Sequence, residues 1–206
     1  ITAHPEEHET PDKFQAEYVA IGAAKIAWSN EAKVIVLPTI PFGVNTGQMD
    51  ISLCINMNPS TQYAILKDIV QVLNGQDIRK LVIVNSHGGN HFKQMIRELS
   101  LEFPKVFICA INWWQVANSK DYFEEPGDHA GEMETSVMLY IKPDLVLPIK
   151  QTGNGNEKKF KIKGLKEGWV TAQRQWAKIS GDTGVGNPQF ATEEKGKKFL
   201  DIVIQK

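Results

Sequence analysis

Five histidines stand at positions 4, 8, 87, 91 and 129, each in a short polar stretch beside Glu, Asp, Asn or Gly. Imidazoles in such company can ligate metals or move protons near neutral pH. The run His4-Pro5-Glu6-Glu7-His8-Glu9-Thr10-Pro11-Asp12 sets His and carboxylate groups at short spacing. That donor set suits Zn2+, Mn2+ or Fe2+, and a shared aspartate suits two ions about 3.5–4 Å apart. A loosely held polar terminus would carry the same composition.

His87 lies in Asn85-Ser86-His87-Gly88-Gly89-Asn90, which follows the apolar run KLVIV and precedes a helical pattern. The imidazole is therefore expected at the carboxyl end of a strand. Gly88 and Gly89 let backbone approach a ligand closely, and the following helix start favours an anion or oxyanion. The competing reading is an ordinary turn with an Asn cap. His91 is expected inside that helix, in a solvent or supporting role.

A second constellation is Asp128-His129-Ala130-Gly131-Glu132-Met133-Glu134-Thr135-Ser136, again at a helix start. At about 100° per residue, Glu134 falls with Met133, Val137, Met138 and Ile141, and Glu132 points nearly the opposite way. Glu134 is thus expected to be buried, either partnered by His129 or in a polar active-site pocket, because a lone buried carboxylate is costly. The bland alternative leaves both glutamates partly solvated and His129 as a cap. One ring of Trp113-Trp114 is expected to line the pocket, unless the pair simply alternates between core and surface. The Gly-rich stretch 179–192 lacks the Gly-Lys-Ser/Thr ending of a phosphate loop.

The elements that must hold these groups read as an alternation. Ala16 to Trp28 has helical spacing after Pro11-Asp12, and Val34–Leu37 is an apolar run stopped by Pro38. Residues 41–57 read as a long functional or packing loop. A helix follows Asn58-Pro59-Ser60, with Asn as cap and Pro at the first helical position. Lys80–Asn85, Val106–Trp113 and Leu145–Ile149 read as further strands. Helices are expected from Gly89-Asn90 to about Glu102, over Ala130–Ile141, and from Thr192 onward with Lys195, Lys197 and Lys198 toward solvent. Residues 150–168 read as an exposed excursion. Apolar strands alternating with helices imply an α/β fold with a largely parallel sheet covered on two sides, its ligand site at the strands' carboxyl ends.

Composition narrows the classes. The 206 residues suit one domain over 1–206, and 42% hydrophobic with 23% charged residues is a soluble globular make-up. With 23 Lys+Arg against 24 Asp+Glu the net charge is −1, without the basic stripe of a nucleic-acid binder. No apolar run is long enough for a membrane span. No signal-peptide pattern opens the chain, and Cys54 and Cys109 read as buried thiols in a reducing, cytoplasmic setting.

Together these stretches resemble the creatininase (creatinine amidohydrolase) family of metal-dependent hydrolases. The resemblance rests on NSHGGN at 85–90, DHAGEMETSVML at 128–139 followed by KPDLV, SGDTGVGNPQFATEEKG at 180–196 and LPTIPFGV at 37–44. It implies a three-layer α/β/α fold, a homo-oligomer that is commonly a hexamer, and a site with one or two divalent ions, Zn or Mn with Fe as a further choice. It implies His87 as a metal ligand, Asp12 as the bridging aspartate, His129 as the catalytic histidine with Glu134 five positions on, and Trp114 beside the substrate. Two departures stand out. Gly89 occupies the place of a glutamate ligand in creatininase. The family's Glu-x-His-x-x-His stretch is matched only by His4 or His8 with shifted spacing, so the family's first strand would lie upstream of Ile1.

The expected function is metal-assisted hydrolysis of a cyclic amide or other non-peptide C–N bond in a small molecule. Asp12, His87 and His4 or His8 would hold the metal, and His129 with Glu134 would move the proton. Gly88, Gly89 and Asn90 would face the substrate. Ring opening of an oxidised inositol, or a degenerate member without turnover, are the alternatives.

Overall fold

A computed structural model describes residues 11–206. The His4 and His8 assignments lie outside the described residues. Helices α1 (Pro11–Ser29) and α2 (Pro59–Gly75) precede strand β1 (Lys80–Asn85), helix α3 (Phe92–Glu102) and strand β2 (Phe107–Asn112). Then follow α4 (Glu132–Ile141), the one-turn helices α5 (Lys163–Lys166) and α6 (Trp176–Ile179), and α7 (Glu193–Gln205). Pro59 opens α2 behind Asn58, and Thr192 caps α7 by accepting from the Lys195 N–H at 3.2 Å. Both caps follow from residues that satisfy or lack the first helical donors.

β1 and β2 pair in parallel, from Lys80 opposite Phe107 to Asn85 opposite Asn112, with α3 as the crossover. Alternation along β1 sends its side chains to two helical layers. Leu81 and Ile83 pack against Leu66 and Val70 of α2 and Met95 and Leu99 of α3. Val84 packs on the other side, against the core of Val19, Trp113, Met133, Val137, Phe199 and Leu200 drawn from α1, α4, α7 and the end of β2. The order helix, sheet, helix is the expected α/β/α arrangement. Among the described residues no helix is long and apolar enough to cross a membrane.

Several sequence-based expectations are corrected. Val34–Leu37 is not a strand among the described residues: Ile35 is 82% exposed. An apolar β-branched run becomes a strand only where a neighbour takes its backbone hydrogen bonds, and among the described residues the sheet consists of β1 and β2. Leu145–Ile149 is likewise no strand, because Pro143 and Pro148 start short 3-10 turns there. His91 precedes α3 as its N-cap residue instead of lying inside it. Lys195 turns inward: its Nζ lies 2.5 Å from an Oε of Glu132, which is wholly buried. The helical-wheel reading of α4 sets Glu132 opposite the apolar face, yet contact with α7 buries it wholly, while Glu134, its side chain 18% exposed, is largely buried as expected.

Cys54 and Cys109 are free thiols, half-buried instead of buried.

Candidate active site

Asp12 sits in the first turn of α1, where the helix dipole favours a carboxylate. His87 comes from the loop that leaves β1. The two meet at 3.0 Å between Asp12 Oδ2 and His87 Nδ1. His87 Nε2 lies 3.1 Å from the Val44 carbonyl oxygen, and since a carbonyl only accepts, that nitrogen carries the proton. With Nε2 protonated, a neutral His87 would turn its Nδ1 lone pair toward a carboxylate oxygen, so either a proton on Nδ1 or a metal ion must lie between the two groups. Burial alone would lower the His87 pKa, but the Asp12 carboxylate and the Val44 carbonyl together raise it above the ordinary histidine value.

The same facing donors fit a metal ion. An imidazole nitrogen and a carboxylate oxygen are suitable donors, and 3.0 Å matches two ligands of one ion at about 2.0–2.2 Å from each. No group of three such ligands forms among the described residues.

An amide network fixes the loop behind His87. Asn90 Oδ1 accepts from the Val44 N–H at 3.0 Å and from Gln62 Nε2 at 3.1 Å, while Asn90 Nδ2 donates to Asn85 Oδ1 at 3.0 Å. Asn85 also takes the His87 N–H at 3.1 Å and donates to Asn112 Oδ1 at 2.8 Å. The Asn90 side chain is thus engaged in holding the loop 43–45 against residues 85–90. A Cβ at Gly89 would stand 2.2 Å from the Val44 oxygen and 2.6 Å from His87 Nε2, so this close approach requires glycine. The departure at position 89 is therefore built into the loop: a glutamate cannot simply be restored there.

His129 enters from the other side. Its backbone forms a two-way bridge with Val185, at 2.9 Å and 2.8 Å, just before Ala130 turns the chain with φ +51° into α4. Glu134 Oε2 accepts from the Ala130 N–H at 2.7 Å and lies 3.9 Å from His129 Nδ1, too far for a hydrogen bond. Burial, then the Asp12 charge, push the Glu134 carboxyl up to about 7. Withdrawal from water lowers His129 to about 4, although its side chain keeps a 40% exposed edge. The fields of Asp12 and His87 both reach His129, so Asp12, His87, His129 and Glu134 form one electrostatic cluster. Within it Asp12 raises the His87 pKa, whereas His129 is neutral at pH 7 and keeps an edge open to solvent.

The remaining assignments divide. Trp113 is buried and donates from Nε1 to Ser86 Oγ at 2.8 Å, which braces the residue before His87. Trp114 is half-buried and packs edge-on to Trp113 against the main core. The Val44 carbonyl, the partners Gln62 and Asn112, and the pair Arg174 and Trp176 escape a reading by motif. Only the loop character of residues 41–57 hinted at Val44.

A profile of the creatinine amidohydrolase family matches residues 10–206. The chain belongs to the creatininase family. Members of the creatininase family are hydrolases. A Bacteroides fragilis protein assigned to the creatinine amidohydrolases is 44% identical in its crystal structure, with 92% of this chain and 76% of that chain covered and a TM-score of 0.87. Creatininase in a Zn-Zn form, a glutamate-to-glutamine variant, shares 19% identity over 99% of this chain and 84% of that chain at a TM-score of 0.74, which shows the fold. A mycofactocin precursor peptide peptidase of Mycobacterium ulcerans is 32% identical over 129 residues, 61% of this chain. The chain spans 45% of that relative's length.

Proposed function

We propose that this creatininase-family chain is a metal-dependent hydrolase of a non-peptide C–N bond, such as a cyclic amide, in a small molecule. The carrying observation is the facing pair of Asp12 Oδ2 and His87 Nδ1 at 3.0 Å, with the other His87 nitrogen pinned by Val44. These two residues would hold a divalent ion, Zn or Mn, with a third ligand from His4 or His8. The ion, when bound, supplies a water acidified to a pKa of about 7.

The chain's own groups do the rest. His129, neutral at pH 7, takes a proton at its exposed edge and returns it to the departing nitrogen. Glu134 holds the Ala130 turn that carries His129, and its raised pKa keeps carboxyl and carboxylate close in energy. The Gly88 and Gly89 amides offer donors for an oxyanion, on a loop that the Asn85 and Asn90 side chains keep rigid. The peptidase relative supports a second reading, in which the C–N bond belongs to a peptide. Metal content of the native protein, followed by turnover of lactams, formamides, short peptides and keto-inositols with and without chelator, tests both. Chelator-sensitive hydrolysis of one amide class, read as the opened amino acid from a lactam or as the freed amine from an acyclic amide, supports the proposal. Metal-free protein, inert toward the whole panel, overturns it.

A further inference from the structure

One expected reading partners Glu134 with His129, yet the distance of 3.9 Å denies it that bond and its Oε2 is occupied by the Ala130 N–H. The ring meets something else. Trp176 stands edge-to-face against it, with ring centroids 5.3 Å apart and planes at 88°. Trp176 is itself immobilised on several sides. It is 6% exposed, packs with Ile179 and Val185, donates from its indole Nε1 to the Thr183 carbonyl at 2.8 Å, and donates from its backbone N–H to the Gly47 carbonyl at 2.8 Å. Arg174 covers the indole with its guanidinium 4.6 Å from the ring centroid. The same guanidinium donates from Nη1 to Asp128 Oδ2 at 2.6 Å, and Asp128 is the residue before His129.

The contacts close on themselves: His129 to Trp176, Trp176 to Arg174, Arg174 to Asp128, and Asp128 to His129 through the peptide bond. We propose that Trp176, clamped by Arg174, is the positioning residue that sets the His129 ring plane. The proposal rests on His129 as the proton-moving group of the proposed reaction. An edge-to-face ring contact is worth about 0.5–1.5 kcal/mol, enough to favour one ring orientation severalfold. A displacement of about 1 Å in a catalytic group can cost on the order of 10²-fold in rate.

The test uses the metal-loaded full chain with Trp176→Phe, Trp176→Leu and Arg174→Gln. Trp176→Phe keeps an aromatic edge, and Trp176→Leu removes it. Turnover on the best substrate of the panel should fall roughly 10–100-fold in kcat for Trp176→Leu with KM within about twofold, and Trp176→Phe should recover most of it. Arg174→Gln should fall between them. In parallel, proton NMR of the Zn-loaded protein follows the histidine ring signals, with His129 assigned by its absence in His129→Gln. Loss of the indole ring current should move the His129 signals in Trp176→Leu while those of His87 and His91 stay in place. Unmoved His129 signals in folded Trp176→Leu, or kcat unchanged in that variant, overturn the proposal. A variant too unstable to study leaves the decision to Trp176→Phe and Arg174→Gln, whose His129 signals should shift by smaller amounts. If no substrate is turned over by the unaltered chain, the hydrolase reading fails by itself and the NMR arm still decides the positioning claim.

Discussion

Asp12 Oδ2 and His87 Nδ1 face each other at 3.0 Å across the space between the start of α1 and the end of β1, each held by its own element. Removing either donor should therefore weaken ion retention without unfolding the sheet. His87→Ala and Asp12→Asn are expected to lose at least tenfold in Zn or Mn affinity, on the order seen when groups supporting a metal are removed. Titration with a metal indicator checks this, and undiminished binding in both variants would exclude the pair as ligands.

Glycine is required at 89 and is optional at 88. The Cβ of Gly89→Ala would meet the Val44 oxygen at 2.2 Å, a backbone atom that cannot turn aside, whereas nothing lies within 4 Å of a Cβ at Gly88. Gly89→Ala should lose about 1–3 kcal/mol in urea unfolding, and Gly88→Ala should stay within about 0.5 kcal/mol of the unaltered chain.

The raised Glu134 and lowered His129 pull the pH dependence of stability in opposite directions. Glu134 moves from 4.5 to about 7 on folding, so its contribution is complete below pH 4.5 and lost as pH rises through 7. His129 moves from 6.5 to about 4, so its contribution is present above pH 6.5 and lost as pH falls through 4. In chelator-treated protein, Glu134→Gln should gain Tm relative to the unaltered chain as pH goes from 5 to 8. His129→Gln should gain most at pH 4. Parallel Tm curves for all three proteins would contradict both shifts.

Glu132 is wholly buried and relies on Lys195, 2.5 Å away, and on the Glu125 N–H at 2.7 Å. Lys195→Ala leaves that charge without its cation and should cost about 3 kcal/mol, at the low end for a broken buried pair because the lysine is itself partly exposed. The paired change Glu132→Leu with Lys195→Met should recover most of the loss, measured by chemical denaturation.

Local signals were sufficient for much of this molecule. KLVIVN became β1 to the residue, and helices start behind Asn58, though its side chain makes no capping bond, and behind Thr192, because such choices are made within a few residues. The places of His87 just after β1 and of His129 just before α4 were legible for the same reason. Val34–Leu37 failed because a strand is a relation between two segments, and its composition says nothing about the second.

What the sequence determined alone is the β1–α3–β2 unit and the long helices, the chemistry of the candidate ligands and, through its motifs, membership of the creatininase family. Only the tertiary structure decided that Glu132 is wholly buried, that the Val44 carbonyl takes His87 Nε2, and that His129 rests on Trp176 and not on Glu134. Those outcomes depend on contacts between residues 43 or more positions apart, or on an ion pair between α4 and α7, and no spacing along the chain encodes such distances.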